Sequence, residues 1–317
     1  MIKEFNNLED FDAAFPDEES CIVHYRAIRW PAGMACVHCG SMERIYDLHK
    51  GKHKCGDCRK TFTVRNGSIF DDSKLKLRVW FKAIFLMTSH KKGISSHQLA
   101  KDIGVTQKTA WFLLNRIREA TKTPEFAAPL NGTIEMDEMF VGGQGKWKHA
   151  IKKDSYKKKR KGASGNYKAE KKVVIGMLQR DGDLRFQHID GKNFVQIKQT
   201  VATNIALGAT VYTDEAAHYK WMKDGYSHNL VKHYIGEYVR GDVTTNRIEG
   251  AFGHFKRAVH GVYHKVSDEH LHRYLNMFAW RWNRRKIGEG DRVNALLECT
   301  RGKQITYRQL IRKDSMQ

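Results

Sequence analysis

The stretch that decides the fold is TIEMDEMFVGG, residues 133–143. Ile134, Met136, Met139, Phe140 and Val141 give it the apolar character of a strand, and the double glycine ends it. Further strand signals lie downstream. VVIGMLQRDGDLRFQHI, residues 173–189, reads as a hairpin turning at Asp181-Gly182-Asp183. ATVYTDEAAHY, residues 209–219, reads as a strand that ends on Asp214 and runs into a helix, with a crossover helix around Phe194 to Ala206 before it.

A three-stranded antiparallel meander, a crossover helix and a further strand with an acid at its tip is the layout of an RNase H-like core. In that layout Asp137, inside the first strand, and Asp214, at the tip of the fourth, converge near the centre of the sheet. Two carboxylates forced together repel unless divalent cations neutralise them. GDVTTNRIEGAFGHFKR, residues 241–257, supplies a third oxygen ligand. Thr244 or Thr245 can cap a helix there, and Ile248, Ala251, Phe252 and Phe255 recur at helical spacing. Glu249 and Lys256 lie about two turns apart on nearly one face, with Asn246 one turn earlier. A carboxylate holding a cation beside a lysine that touches DNA phosphate fits this geometry; so does a surface helix with scattered charges, and the upstream aspartates favour the first reading. In a two-metal site the ions stand about 3.5–4 Å apart, one activating the attacking water or 3′-hydroxyl and the other stabilising the leaving oxygen. Glu135 and Glu138, beside the first acid, are expected to orient or pack.

Composition narrows the partner. At 317 residues and 41% hydrophobic content the chain is long enough for two or three domains with sizeable cores. Its formal charge of +21 points to a polyanion, with nucleic acid ahead of an anionic membrane surface. No apolar run approaches a membrane span, and the acidic N-terminus lacks the layout of a signal peptide. A cytoplasmic, nucleoid-associated prokaryotic protein is expected.

Four of the six cysteines form two Cys-x-x-Cys pairs, Cys36/Cys39 and Cys55/Cys58, in glycine-containing knuckles joined by a span of strand character. Four thiolates suit one tetrahedral structural zinc, and a domain this small needs the metal to fold. His38, His49 and His53 read as bystanders, and Cys21 and Cys299 as buried thiols. Downstream, residues 76–89 read as a broadly apolar helix. SSHQLAKDIGVTQKTAWFLLNRIREATK, residues 95–122, gives a short helix, a turn at Ile103-Gly104-Val105 and a longer helix opened by Thr106. This is a helix-turn-helix pattern, with Gln107, Lys108 and Thr109 where base edges are read and Arg116 further along the same helix. A structural helical hairpin also fits; the ribbon, the turn and the charge together favour DNA.

These signals divide the chain into an N-terminal helical segment (1–30), a zinc ribbon (31–70), a helix-turn-helix domain (71–123), a linker (124–132), an RNase H-like catalytic domain (133–287) and a basic C-terminal tail (288–317). A lysine-rich insertion, 144–172, interrupts the catalytic domain and would grip backbone phosphate through Lys157, Lys158, Lys159, Arg160 and Lys161 without reading sequence. Residues 260–285 read as a loop and a helix dense in aromatics and arginine. His260, Tyr263 and His264 could approach DNA near the metals. Tyr274, Phe278 and Trp282 share a core-facing stripe, and Arg281, Arg284 and Arg285 are expected to point to phosphates.

WPAGMACVHCG, KCGDCRKTF, VRNGSIFDDSK, QKTAWFLLNRIREA, IEMDEMFVGG, VYTDEAAHY and the long run from Thr244 to Arg285 together resemble the zinc-ribbon insertion-sequence transposases of the ISXO-like group, which carry a DDE-type integrase core. The resemblance covers nearly everything from Trp30 to Arg285. It implies Asp137 and Asp214 as the invariant acids and Lys256 as the basic position. Members of the group are often described with asparagine in place of the third acid, and Asn246 matches that position, whereas Glu249 matches the general transposase spacing. An amide oxygen binds a hard cation but brings no charge and cannot act as a base, so spacing and chemistry lean to Glu249. The expected activity is cleavage at the terminal inverted repeats and joining of the freed 3′-hydroxyl to target DNA with Mg²⁺ or Mn²⁺. The expected partner is double-stranded DNA, bound by a homodimer or larger assembly. An inactive zinc-ribbon regulator and a purely hydrolytic nuclease of the same fold are the rival readings.

Overall fold

The structure is a computed structural model, and it describes residues 3–122, 128–142, 172–189 and 194–311. The chain divides into two compact units, one of residues 1–123 with 280–317 and one of residues 124–279.

The first unit opens with α1 (Leu8–Ala14), capped by the Asn7 side chain, and α2 (Glu18–Arg29), which starts with a reciprocal capping box between Asp17 and Ser20. Phe5, Phe11 and Phe15 pack ring edge to ring face, and Phe81 and Phe85 close over them. Each such ring contributes about 1.5–3 kcal/mol by leaving water. The ribbon strands β1 (Ile45–Asp47), β2 (Lys52–Cys55) and β3 (Thr61–Thr63) form an antiparallel sheet in chain order. Next come α3 (Leu77–Ser89), which is buried over most of its surface, then α4 (Ser96–Ile103) and α5 (Gln107–Ala120). Gly104 makes the turn between α4 and α5 at φ +67°, a conformation that costs glycine little, and Thr106 caps α5 through its hydroxyl. Cys21 is an inert buried thiol, pushed up to about 12 by burial.

The second unit is a five-stranded sheet with strand order β6-β5-β4-β7-β8. Its elements are β4 (Thr133–Val141), β5 (Lys172–Gln179), β6 (Leu184–Ile189), α6 (Phe194–Asn204), β7 (Thr210–Thr213) and β8 (Ser227–Leu230). β4, β5 and β6 form the antiparallel meander, while β7 and β8 add in parallel on the other side of β4. This is the RNase H-like arrangement. Ile134, Met136, Ile175 and Met177 face a core shared with Ile197 and Val201 of α6 and with Tyr219 and Met222. Leu130, placed by sequence in a linker, is buried in this core and bridges to Ile205, because its backbone pairs with the end of α6. A short hairpin, β9 (Val239–Arg240) with β10 (Val243–Thr244), leads into α7 (Asn246–Ala258) and α8 (Asp268–Asn283). Phe186 on β6 stacks with Phe252 of α7 and Phe278 of α8, covering the other face of the sheet.

The unit boundary falls inside α8 rather than near residue 287. Residues 288–311, expected as a featureless basic tail, are instead folded into the first unit. α9 (Glu289–Glu298) buries Val293, Leu296 and Leu297, and Asn294 meets His24 of α2 at 2.9 Å. Tyr25 bonds Thr300 at 2.7 Å, and Lys303 donates to the Ala120 carbonyl at 2.9 Å. A last short helix, α10, spans Tyr307–Ile311. The charge masks apolar positions at helical spacing, which is why composition alone reads this segment as a tail.

Candidate active site

β4 is the central strand of its sheet, and on it Asp137 pairs with Gly176. A Cβ at Gly176 would lie 2.5 Å from Phe252 and 2.7 Å from Ile248, so glycine is what lets α7 settle onto this face of the sheet. In the parallel β4/β7 register Glu135 is level with Tyr212. Asp137 lies two residues beyond Glu135 on β4, and Asp214 directly follows the last residue of β7.

Asp137 is half-buried. Burial, and then the charges of Asp214, Glu249 and Glu138, push its carboxyl from 3.8 to about 7, although the Glu138 N–H donates to its Oδ1 at 2.7 Å. Acids from β4, the β7 tip and α7 therefore lie within electrostatic reach of one another. Among the described residues, however, only the four cysteines hold three or more ligand atoms within 4.8 Å, so the acids stand wider than one ion's shell.

Each acid is steadied by a neighbouring glutamate. Glu135 is fully buried and its Oε2 accepts the N–H groups of Arg247 and Ile248 at 2.9 and 3.3 Å. These are unsatisfied donors of the first turn of α7, so the cap on that helix comes from β4. Of the two threonines expected at this helix start, Thr245 makes no side-chain cap bond and its hydroxyl instead donates to Glu249 Oε1 at 2.8 Å, while Thr244 Oγ1 accepts the Asn246 N–H at 3.2 Å. Arg180 completes the arrangement by donating to Glu135 Oε1 at 3.1 Å and to the Asp242 carbonyl at 2.6 Å. Glu138, on the opposite face of β4, accepts the Tyr219 hydroxyl at 2.6 Å. Burial and that carboxylate hold the tyrosine protonated well above the usual phenol range. Beside Asp214, whose Oδ1 accepts the Ala216 N–H at 3.1 Å, Glu215 accepts the N–H groups of His233 and Tyr234 at 2.9 and 3.3 Å.

Glu249 is half-buried, with His233 Nε2 3.9 Å from its Oε1. Asn246 is exposed at the first position of α7, where its N–H donates to Thr244 Oγ1 at 3.2 Å. Lys256 is exposed further along the helix. Sequence reading missed Tyr219, Glu215 and His233. Tyr219 and His233 lie in short 3₁₀ turns and Glu215 in the bend after β7, where no periodicity marks them.

In the ribbon, Cys36 and Cys58 approach to 3.6 Å between sulfurs, as do Cys39 and Cys55. Tetrahedral zinc at its usual thiolate distance needs about 3.8 Å between sulfurs. The donor set therefore fits one structural ion. His38 and His53 stand outside it: His53 is buried between Arg26 at 3.0 Å and Asp47 at 2.5 Å.

Gln107 and Lys108 are exposed on the first turn of α5 and Thr109 is half-buried beside them. Gln107 donates to Ser96 Oγ at 2.8 Å, and Lys108 lies 5.0 Å from the Tyr307 ring centroid. Arg116 does not belong with them. It is 3% exposed, lies over Trp80 and Phe112, and donates to the Asp71 carbonyl at 2.6 Å, so it packs rather than meets DNA. Arg281 is likewise buried, donating to the His90 carbonyl at 2.6 Å. Arg284 is half-buried over Trp280. His264 is exposed at φ +57°, directly after a π-helical turn, Val259–Tyr263, where a loop was expected. Lys157, Lys158, Lys159, Arg160 and Lys161 lie outside the described residues.

Comparison with known proteins identifies two domains in the chain. The ISXO2-like transposase domain matches residues 129–283, and the transposase zinc-ribbon domain matches residues 16–61. A Halobacterium salinarum protein, described as an uncharacterized protein in transposable element ISH50, is 29% identical over 261 residues, 80% of this chain and 87% of its own length. No solved structure matches. Two transposase domains in the order ribbon then sheet account for the cysteine cluster and for the sheet that carries the acids, and the chain belongs to the family of zinc-ribbon, ISXO2-like transposases.

Proposed function

We propose that this transposase cleaves at the ends of its element and joins the freed 3′-hydroxyl to target DNA, with Asp137, Asp214 and Glu249 as the ligands of two divalent cations. What supports the reading is the place of Asp137, half-buried on the central strand of the RNase H-like sheet and within electrostatic reach of Asp214 and Glu249 from separate segments, in a domain matched to transposases. Held there, Mg²⁺ or Mn²⁺ would neutralise the cluster and activate the attacking water or hydroxyl. The chain's own residues do the positioning. Glu135 fixes the start of α7 and with it Glu249, Tyr219 holds Glu138 away from the acids, and Glu215 ties down the loop beside Asp214. Lys256, exposed on α7, takes a DNA phosphate.

The electrostatic coupling of Asp137 to Glu249 and the exposure of Asn246 support Glu249 as the third ligand. One structural zinc on Cys36, Cys39, Cys55 and Cys58 would hold the ribbon. The ribbon, α5 with Gln107, Lys108 and Thr109, and the basic residues Lys157–Lys161, His264 and Arg284 would bind double-stranded DNA, with two ends joined by a homodimer or larger assembly in the cytoplasm.

The test is end joining in Mg²⁺ on duplexes copied from the DNA flanking the gene. Wild type should give joined products and Asp137→Ala none, while both bind end DNA. Equal inactivity of the two overturns the reading; cuts without joined products would make the enzyme a hydrolytic nuclease. Glu249→Gln should abolish joining where Asn246→Ala only weakens it, and the opposite ranking would make the asparagine the ligand.

A further inference from the structure

Between β8 and β10 the second unit exposes an apolar surface next to its acids. Tyr234 is 72% exposed, Ile235 62%, Tyr238 56% and Val239 55%. Four large apolar side chains so close together mark a surface that something covers. The segment is nonetheless well defined. The Glu237 N–H bonds the Lys232 carbonyl at 3.2 Å, its carboxylate returns to the Lys232 N–H at 3.1 Å, and Gly236 makes the turn at φ +79°.

It is tied directly to the acid cluster. Glu215, the residue after Asp214, accepts the His233 and Tyr234 N–H groups, and the His233 imidazole lies 3.9 Å from Glu249. Tyr238 leans on that imidazole with ring centroids 5.0 Å apart. The strand at its far end, β9, pairs with β10, which enters α7. The rings are thus positioned from both sides by the segments that bring in Asp214 and Glu249.

We infer that residues 232–240 form a platform for an unpaired nucleotide base of the DNA strand at the acids, with Tyr234 and Tyr238 as its stacking faces. The inference rests on reading those acids as the reacting centre. Lys232 and Arg240, both exposed, flank the rings with the charge a phosphate backbone requires. Aromatic faces take any base, but only one that has left the duplex stack, so the surface fits a frayed or flipped nucleotide beside the scissile phosphate. A protein partner would use the apolar side chains but would give no reason for the flanking cations or the tether to Glu215.

The experiment uses the full-length protein and duplexes copied from the flanking DNA, with a fluorescent adenine analogue at the nucleotides next to the cut. In Ca²⁺, wild type should raise the analogue's fluorescence by unstacking it. Tyr234→Ala with Tyr238→Ala should cut affinity for such duplexes about tenfold or more and remove the rise, while the two Tyr→Phe changes retain both. In Mg²⁺ the alanine variant should cleave paired ends slowly and mismatched ends near the wild-type rate. Wild-type fluorescence and cleavage from the alanine variant overturn the platform. So does a shift of that variant to a smaller species in solution with unchanged fluorescence, which would assign the surface to a second copy of the chain. A fluorescence rise without cleavage of any duplex by wild type would instead sink the reading of the acids and leave the platform standing.

Discussion

The cysteine cluster and the acid cluster solve opposite problems. The four sulfurs come from two knuckles close in sequence and lie within 4.8 Å of one another, a closed set matched to one soft ion. The acids come from distant segments, stand wider, and leave Asp137 with a carboxyl raised to about 7. A structural site gains by being complete in itself, whereas the acids stay apart and under electrostatic strain. The scaffold shows the same contrast. The ribbon is organised by its ligands, while the acids rely on Glu135, Glu138 and Glu215, which hold α7, Tyr219 and the loop at His233.

Removing the metal from the ribbon is the strongest way to sharpen this comparison. Structural zinc supplies on the order of 10–16 kcal/mol to small domains of this kind. Chelation or Cys55→Ser should therefore unfold β1–β3, read as lost amide protection in residues 45–63, and leave the protection of β4 and β5 intact. Survival of the ribbon strands without metal would break the contrast.

Asp137→Asn should behave in the opposite sense. Joining should fall about a thousandfold or more, since several kcal/mol of charge stabilisation depend on that carboxylate. The melting temperature should hold or rise, because a half-buried carboxylate among like charges has been neutralised. A large loss of stability would mean that Asp137 is structural.

Glu135→Ala lies between these. It strips the cap from α7 and leaves Arg180 facing an uncompensated site, which should cost about 3–5 kcal/mol in denaturant unfolding. Joining by the folded fraction should fall as well, because the start of the helix that carries Glu249 is no longer fixed. Unchanged stability would show that the glutamate does not hold the helix.

The smallest effect concerns the first unit. His24 is buried, and burial lowers it from 6.5; its Nδ1 accepts the Lys3 N–H while its Nε2–H donates to Asn294. A depressed folded-state value means that the unfolded chain binds the proton more tightly. Stability should be fully present above 6.5 and fall as pH drops below it. His24→Gln should flatten that slope in thermal melts taken across the range, and an unchanged slope would place the acid sensitivity elsewhere.

The sequence by itself determined the parts whose physics is local. Cys-x-x-Cys spacing gave the ribbon, Gly104 and Thr106 gave the α4/α5 turn, and apolar runs broken by Asp181-Gly182-Asp183 gave the meander. Acids in or beside apolar runs also stand out, which marks Asp137, Asp214 and Glu249 as candidates. Only the tertiary structure decided what depends on contacts between distant residues. Arg116 and Arg281 read as phosphate ligands on charge, yet both are buried, since a guanidinium that meets carbonyls and rings can leave water. The cap on α7, the helices after residue 288 and the exposed tyrosines near Glu215 were hidden for the same reason. Helical and strand periods report which face is apolar, not which distant group satisfies a helix end or which loop is left facing solvent.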